Sequence, residues 1–239
     1  GGTLTVSSDL LNSNSSTWGA FTASALTKSG SGTLLLTGTN TYTGATIVSG
    51  GSLNIGSASA GSIPTTSVLT FKDGGASYVT FNRTSGTTIG GIHDAEYITS
   101  SNQIYGSSNG SDFTINVASG ENYSSSAALS GDNYTSSDEL IKTGAGSQEL
   151  SGQIAGFDGI KVQAGTLTLS GGNTFSGNIT VSSGATLEAG YNSAFSSATV
   201  VLNSGAKLSA NNTIPRTLSS NDITLTGTVT LGDATKLGN

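Results

Sequence analysis

Gly165-Thr-Leu-Thr-Leu169-Ser-Gly171-Gly-Asn173-Thr-Phe175-Ser-Gly177 restates, without a gap, Gly32-Thr-Leu-Leu-Leu36-Thr-Gly38-Thr-Asn40-Thr-Tyr42-Thr-Gly44. Each copy opens on an alternating stretch and passes a Gly-x-Asn-Thr-aromatic corner. It then runs into a second alternating stretch, Ile47-Val48 or Ile179-Thr-Val181. Apolar residues at period two mark a strand with one buried face, and Gly, Asn, Ser and Thr mark the corners between strands. A shorter echo lies further on: Ile179-Thr-Val181-Ser-Ser-Gly184-Ala-Thr-Leu187 recurs as Val200-Val-Leu202-Asn-Ser-Gly205-Ala-Lys-Leu208, 21 residues later. Strands this short, joined by corners that leave no room for a helix and spaced every ~20 residues, predict a coil whose turns stack in parallel. The expectation is an all-β, single-stranded parallel β-helix of roughly eleven turns, a rod about 50 Å long. An antiparallel sandwich shares the alternation but accounts less well for the equal spacing.

A third offset, of 114 residues, lays Leu26-Thr-Lys28-Ser-Gly30-Ser-Gly32 on Leu140-Ile-Lys142-Thr-Gly144-Ala-Gly146. The repeat-like parts are thus 26–56 and 140–210, within what reads as one segment over 1–239. Residues 57–139 are less regular, with strands expected near Ser67–Phe71, Tyr78–Phe81 and Asp112–Val117 and with room for loop excursions.

Composition narrows the partners. Of 239 residues only 9% are charged, the formal net charge is −6, and there are 35 Gly, 2 Pro, no Cys and no Met. Helix-rich folds are disfavoured by so much Ser, Thr, Gly and Asn, and collagen by the missing glycine period. Eight scattered basic residues offer no surface to neutralise phosphates, so no nucleic acid is expected. No apolar run reaches the ~20 residues of a membrane helix, so no membrane contact is expected of this segment. The lack of Met suits an internal fragment.

The string from Lys28 through Gly44, followed by Thr46-Ile-Val48 and Gly51-Ser-Leu53, resembles the autotransporter-associated β-strand repeat, also called the passenger-associated transport repeat. Its form is K-x-G-x-G-T-L-x-L-x-G-x-N-T-Y-x-G, a strand, then G-x-L. One copy covers 28–56. A second, at 165–190, keeps Asn173-Thr-Phe175, with its Lys-x-Gly element displaced to Lys142–Gly146. The resemblance implies a right-handed β-helical passenger, secreted or displayed on a Gram-negative cell surface and exported by a C-terminal β-barrel translocator. It implies a role as adhesin or self-association stalk that aids passenger secretion and folding. The partner is then a host surface or extracellular-matrix component, or a second copy. A cysteine-free chain agrees with export in an unfolded state.

Catalysis has little to work with. The single His, in Gly91-Ile-His93-Asp94-Ala-Glu96-Tyr97, anchors the only Ser-His-Asp or metal-binding reading available, and three such groups on one short loop are more simply solvated. No catalytic residue, metal or cofactor is expected. A β-helical enzyme acting on polysaccharide is the alternative, and it needs converging acids. Five of seven tyrosines (78, 97, 105, 123, 134) fall in the irregular section. Tyr97, Tyr105 and His93 are the expected partner contacts, since aromatic side chains on departures from a regular scaffold make efficient anchors.

Overall fold

A computed structural model describes residues 1–12, 23–58, 61–96, 98, 101–106, 111–131, 138–211 and 216–232, the side chains of 57 and 58 aside. Among these residues every named element is a strand, and every strand pair is parallel. Four sheets run along the molecule. The first holds Thr3–Val6, Thr33–Leu36, Gly51–Ala58, Ser77–Arg83, Gln103–Tyr105, Ala128–Ser130 and Ile154–Ala155. The second holds Thr87–Ile89, Phe113–Asn116, Glu139–Thr143, Gly159–Val162, Asn178–Val181, Val200–Leu202 and Ile223–Leu225. Leu26–Ser29, Thr46–Ser49, Val68–Phe71 and Gly91–Asp94 form the third. The fourth contains Asn122–Ser125, Ser147–Leu150, Thr166–Leu169, Thr186–Ala189, Lys207–Ala210 and Thr230–Leu231.

The alternation does its work in ladders. Leu34, Leu53, Val79, Ile104, Leu129 and Ile154 stand one above another inside the first sheet. Phe113, Leu140, Ile160, Ile179 and Val200 do the same inside the second. All are buried. An isolated rung of four-residue strands cannot cover its inner face, so each turn is stable only on its neighbour, which makes the core long and thin.

The expected β-solenoid is present, but with about eight turns instead of eleven, and among the described residues no continuous sheet has more than seven strands. Rung length explains the difference. Where the repeat is clear, a turn takes 19 residues, as from Ser147 to Thr166. Through the central section it takes 25, as from Tyr78 to Gln103, and 27 from Phe113 to Leu140. The strands expected in that section lie at Val68–Phe71, Ser77–Arg83 and Phe113–Asn116.

Longer central rungs also shift the phase of the repeat. The strand of Lys28 lies in the third sheet, and that of Lys142 in the second. The third sheet's last strand, Gly91–Asp94, packs on Asn122–Ser125, the first of the fourth. One face therefore carries the lysine strand of the first copy and the Gly-Thr-Leu strand of the second. Gln148, fully buried, bridges the joint: its amide accepts from Ile92 N (2.9 Å) and donates to Ile92 O (2.8 Å). Asp94 closes the outside, accepting from Ser125 Oγ, Ser126 N and Ser126 Oγ at 2.7–2.8 Å.

Candidate functional site

Lys28 and Lys142 are buried at inward positions, stacked on Val48 and Val162 of the next rung. Each ammonium turns out of the core to a corner. Lys28 Nζ donates to the carbonyls of Ser29 (3.1 Å), Gly30 (2.7 Å) and Gly50 (2.8 Å). Lys142 Nζ donates to those of Thr143 (2.6 Å), Gly144 (2.9 Å) and Ala164 (3.2 Å). In both cases the third carbonyl belongs to the following rung, so the side chain clamps two turns together. Burial lowers both ammonium pKa values, that of Lys142 to about 8. The next glycine, Gly30 or Gly144, has φ 71° in each copy, a left-handed corner that only glycine adopts without strain.

Asn40 and Asn173 are also buried, and each spans three rungs. Leu10 N donates to Asn40 Oδ1 (2.9 Å), whose amide donates to Ser62 O (2.5 Å). Ile154 N donates to Asn173 Oδ1 (2.8 Å), whose amide donates to Ala194 O (2.6 Å). The same two backbone units give their carbonyls to the residue after the Asn, Thr41 or Thr174, at 2.9 Å. Asn173→Ala strands a buried N–H and a buried C=O, so a loss of about 2 kcal/mol is expected. Chemical denaturation should show a lower midpoint at unchanged slope.

The aromatic position is core: Tyr42 and Phe175 are 3% and 1% exposed. Tyr42 adds a buried hydroxyl chain to Thr46 (2.6 Å) and on to Ser67 (2.9 Å). Each signature side chain is thus spent on holding turns together.

The expected partner contacts divide among faces. Tyr97 lies outside the described residues. Tyr105, 38% exposed, is on the outer face of the first sheet, while His93 is on the third. They do not form one site. The His93 ring packs 5.7 Å from that of Tyr123, and its buried Nδ1 has no hydrogen-bond partner among the described residues. Neighbouring Asp94 has both oxygens engaged by Ser125 and Ser126.

Sequence reasoning did not pair Tyr105 with Tyr78, which is equally exposed on the adjacent rung of the same sheet. Their separation of 27 is one central rung of 25 plus two residues, so both side chains point outward. Gln103 stands beside Tyr78 in the ladder, and its Oε1 accepts from Tyr105 Oη.

Acids are distributed differently. Glu139 forms an ion pair with Lys161, which raises the lysine's pKa. Glu149 and Glu188 share the outer column of the fourth sheet with Thr168 between them, one regular rung away on either side. Ser170 Oγ donates to Glu149 (2.7 Å) and Thr168 Oγ1 to Glu188 (2.9 Å). Among the described residues no three His, Cys, Asp or Glu side chains gather where they could hold a metal ion.

Stacked parallel rungs locked by Lys, Asn and Gly at fixed places define a repeat-built β-solenoid. The family model of the passenger-associated transport repeat matches at residues 26–55, 140–165 and 160–189, and the chain carries three copies of that repeat. The matches span about a third of the chain. The middle copy has Ile154 where the others have Asn, and it is Ile154 N that Asn173 of the next copy satisfies. Neither a curated protein nor a solved structure matches the chain.

Proposed function

We propose that this segment is a non-catalytic, adhesive stalk within the passenger of an autotransporter, displayed on or released from a Gram-negative cell surface. The observation that carries the reading is the three repeat copies, whose signature residues are consumed in clamping one rung to the next. Such a rod adds stability rung by rung, so a chain emerging from a C-terminal β-barrel translocator can fold progressively outside the cell and draw the rest after it. Its long lateral faces suit many weak contacts with a host surface, the extracellular matrix or a neighbouring rod.

Deleting residues 140–189 from the displayed protein should lower its amount on the cell surface, read by antibody labelling of intact cells against total protein. Equal display overturns the role in export. Unchanged attachment of cells to host matrix and to one another, measured on a variant lacking 1–239 but still displayed, overturns the adhesive role. Incubation of the chain with a panel of polysaccharides and peptides should give no cleavage products, and products would establish the enzyme instead.

A further inference from the structure

The seven strands of the first sheet contain one charged residue, Arg83. It stands at the end of its strand past a shift in register and donates to the Gly61 carbonyl and the Ser85 hydroxyl. The outward columns read Thr3, Thr33, Ser52, Tyr78, Gln103 and Ala128, and beside them Thr5, Leu35, Asn54, Thr80, Tyr105 and Ser130. In the second and fourth sheets, outward strand positions carry Glu139, Lys161, Glu149, Glu188 and Lys207, and the third sheet, whose Lys28 points inward and whose Asp94 is engaged by Ser125 and Ser126, adjoins the fourth in one face. In a chain of net charge −6 the outward strand columns of this sheet, Arg83 at its margin aside, carry no charged side chain, and two tyrosines are exposed on adjacent rungs at its middle.

We infer that this face binds a neutral glycan chain, an inference that rests on the adhesive reading above and names its partner. Sugar rings present apolar C–H faces ringed by hydroxyls. Tyr78 and Tyr105 offer flat apolar platforms with a polar tip, and the amides of Gln103 and Asn54 with the hydroxyls of Ser52 and Thr80 supply donors and acceptors around them. Apart from the Tyr105–Gln103 bond, these groups have no side-chain partner among the described residues. A face without ions pays little desolvation on covering and offers nothing to an acidic or basic ligand. Size argues against a second copy: seven strands ~4.8 Å apart, two to eight residues long, present roughly 500 Å². A stable protein pair buries about 800 Å² on each partner.

The test titrates the purified chain with cellohexaose, maltohexaose and hexagalacturonate by isothermal calorimetry. One or both neutral hexasaccharides should bind while hexagalacturonate should not. Tyr78→Ala and Tyr105→Ala should each weaken binding about tenfold or more, with Tyr191→Ala, an exposed tyrosine outside the sheet, leaving it unchanged. Circular dichroism and thermal unfolding report whether each variant keeps its fold. Asn54→Asp supplies a second perturbation, which should also weaken binding by setting a carboxylate beside the platforms. Failure of both neutral sugars to bind overturns the inference, as does binding indifferent to all three face variants. Concentration-dependent association abolished by the same variants, without sugar binding, makes the face a contact between copies and also overturns it. None of these results touches the stalk reading, which fails on the display and attachment measurements.

Discussion

Gly171→Ala should destabilise the solenoid by about 3 kcal/mol, while Gly172→Ala, one residue on, should be neutral or stabilising by about 0.5 kcal/mol. A Cβ at Gly171 lands inside the van der Waals envelope of the Gly152 carbonyl on the rung beside it, whereas one at Gly172 meets nothing nearer than Ser193 Oγ at 3.9 Å. Neither glycine has a positive φ, so the difference is one of rung-to-rung approach and not of backbone conformation. Backbone cannot move aside as a side chain can, because both rungs are held by their ladders. The equivalent of Gly171 in the first copy is Gly38, where a Cβ falls 2.5 Å from Ser8 O, while the equivalent of Gly172 is Thr39. The repeat thus keeps glycine where rungs touch and releases it where they do not. Urea denaturation of the two variants decides the matter, and equal stability of both would mean that the rungs slide apart at little cost.

Lys142→Met should cost about 2 kcal/mol at pH 7, since the carbonyls of Thr143, Gly144 and Ala164 lose their shared donor while the aliphatic stem is largely preserved. Its pH dependence separates a clamp from a tolerated buried charge. Burial depresses the folded pKa from 10.5 to about 8, so folding releases a proton between those values. The pH-dependent part of its contribution, added to what the three hydrogen bonds give at pH 7, is fully present above pH 10.5 and is lost as pH falls through about 8. Lys28 shifts in the same direction for the same reason. Tyr42 acts oppositely: burial raises its phenol above 10, so its contribution is intact below pH 10 and declines as pH climbs through its folded value. Wild-type stability should therefore rise from about pH 8 toward 10 and fall beyond. Lys142→Met should flatten part of that rise, and adding Lys28→Met should flatten more, so the deficit of the variants widens with pH. A Met variant as stable as the wild type at pH 7, as replacement of buried charges sometimes gives, would show that the three carbonyls do not depend on the ammonium.

Much of the architecture was legible because a solenoid is nearly one-dimensional. Each ladder joins residues one rung apart, so Ile179-Thr-Val181 against Val200-Val-Leu202 could be aligned from the sequence and is found hydrogen-bonded in that register. The corners at Gly30 and Gly144 were equally plain. The number of turns was not, because rung length was measured on the regular copies, and the central rungs of 25 to 27 residues carry no repeat signature. Nor was the function of the signature lysine visible. An isolated Lys in an alternating strand reads as an outward charge, and only three carbonyls converging at the corner make its inward place tolerable.

By itself, then, the sequence determined strand type, corner chemistry, the parallel stack and the repeat, all of which depend on neighbours within about one turn. Tertiary structure alone decided which face each strand joins. That choice sums the lengths of all intervening corners, so a few extra residues in rungs 57–139 turn the second copy onto a different sheet from the first, and bring Tyr78 to Tyr105. It also leaves the outward strand columns of one sheet without charge.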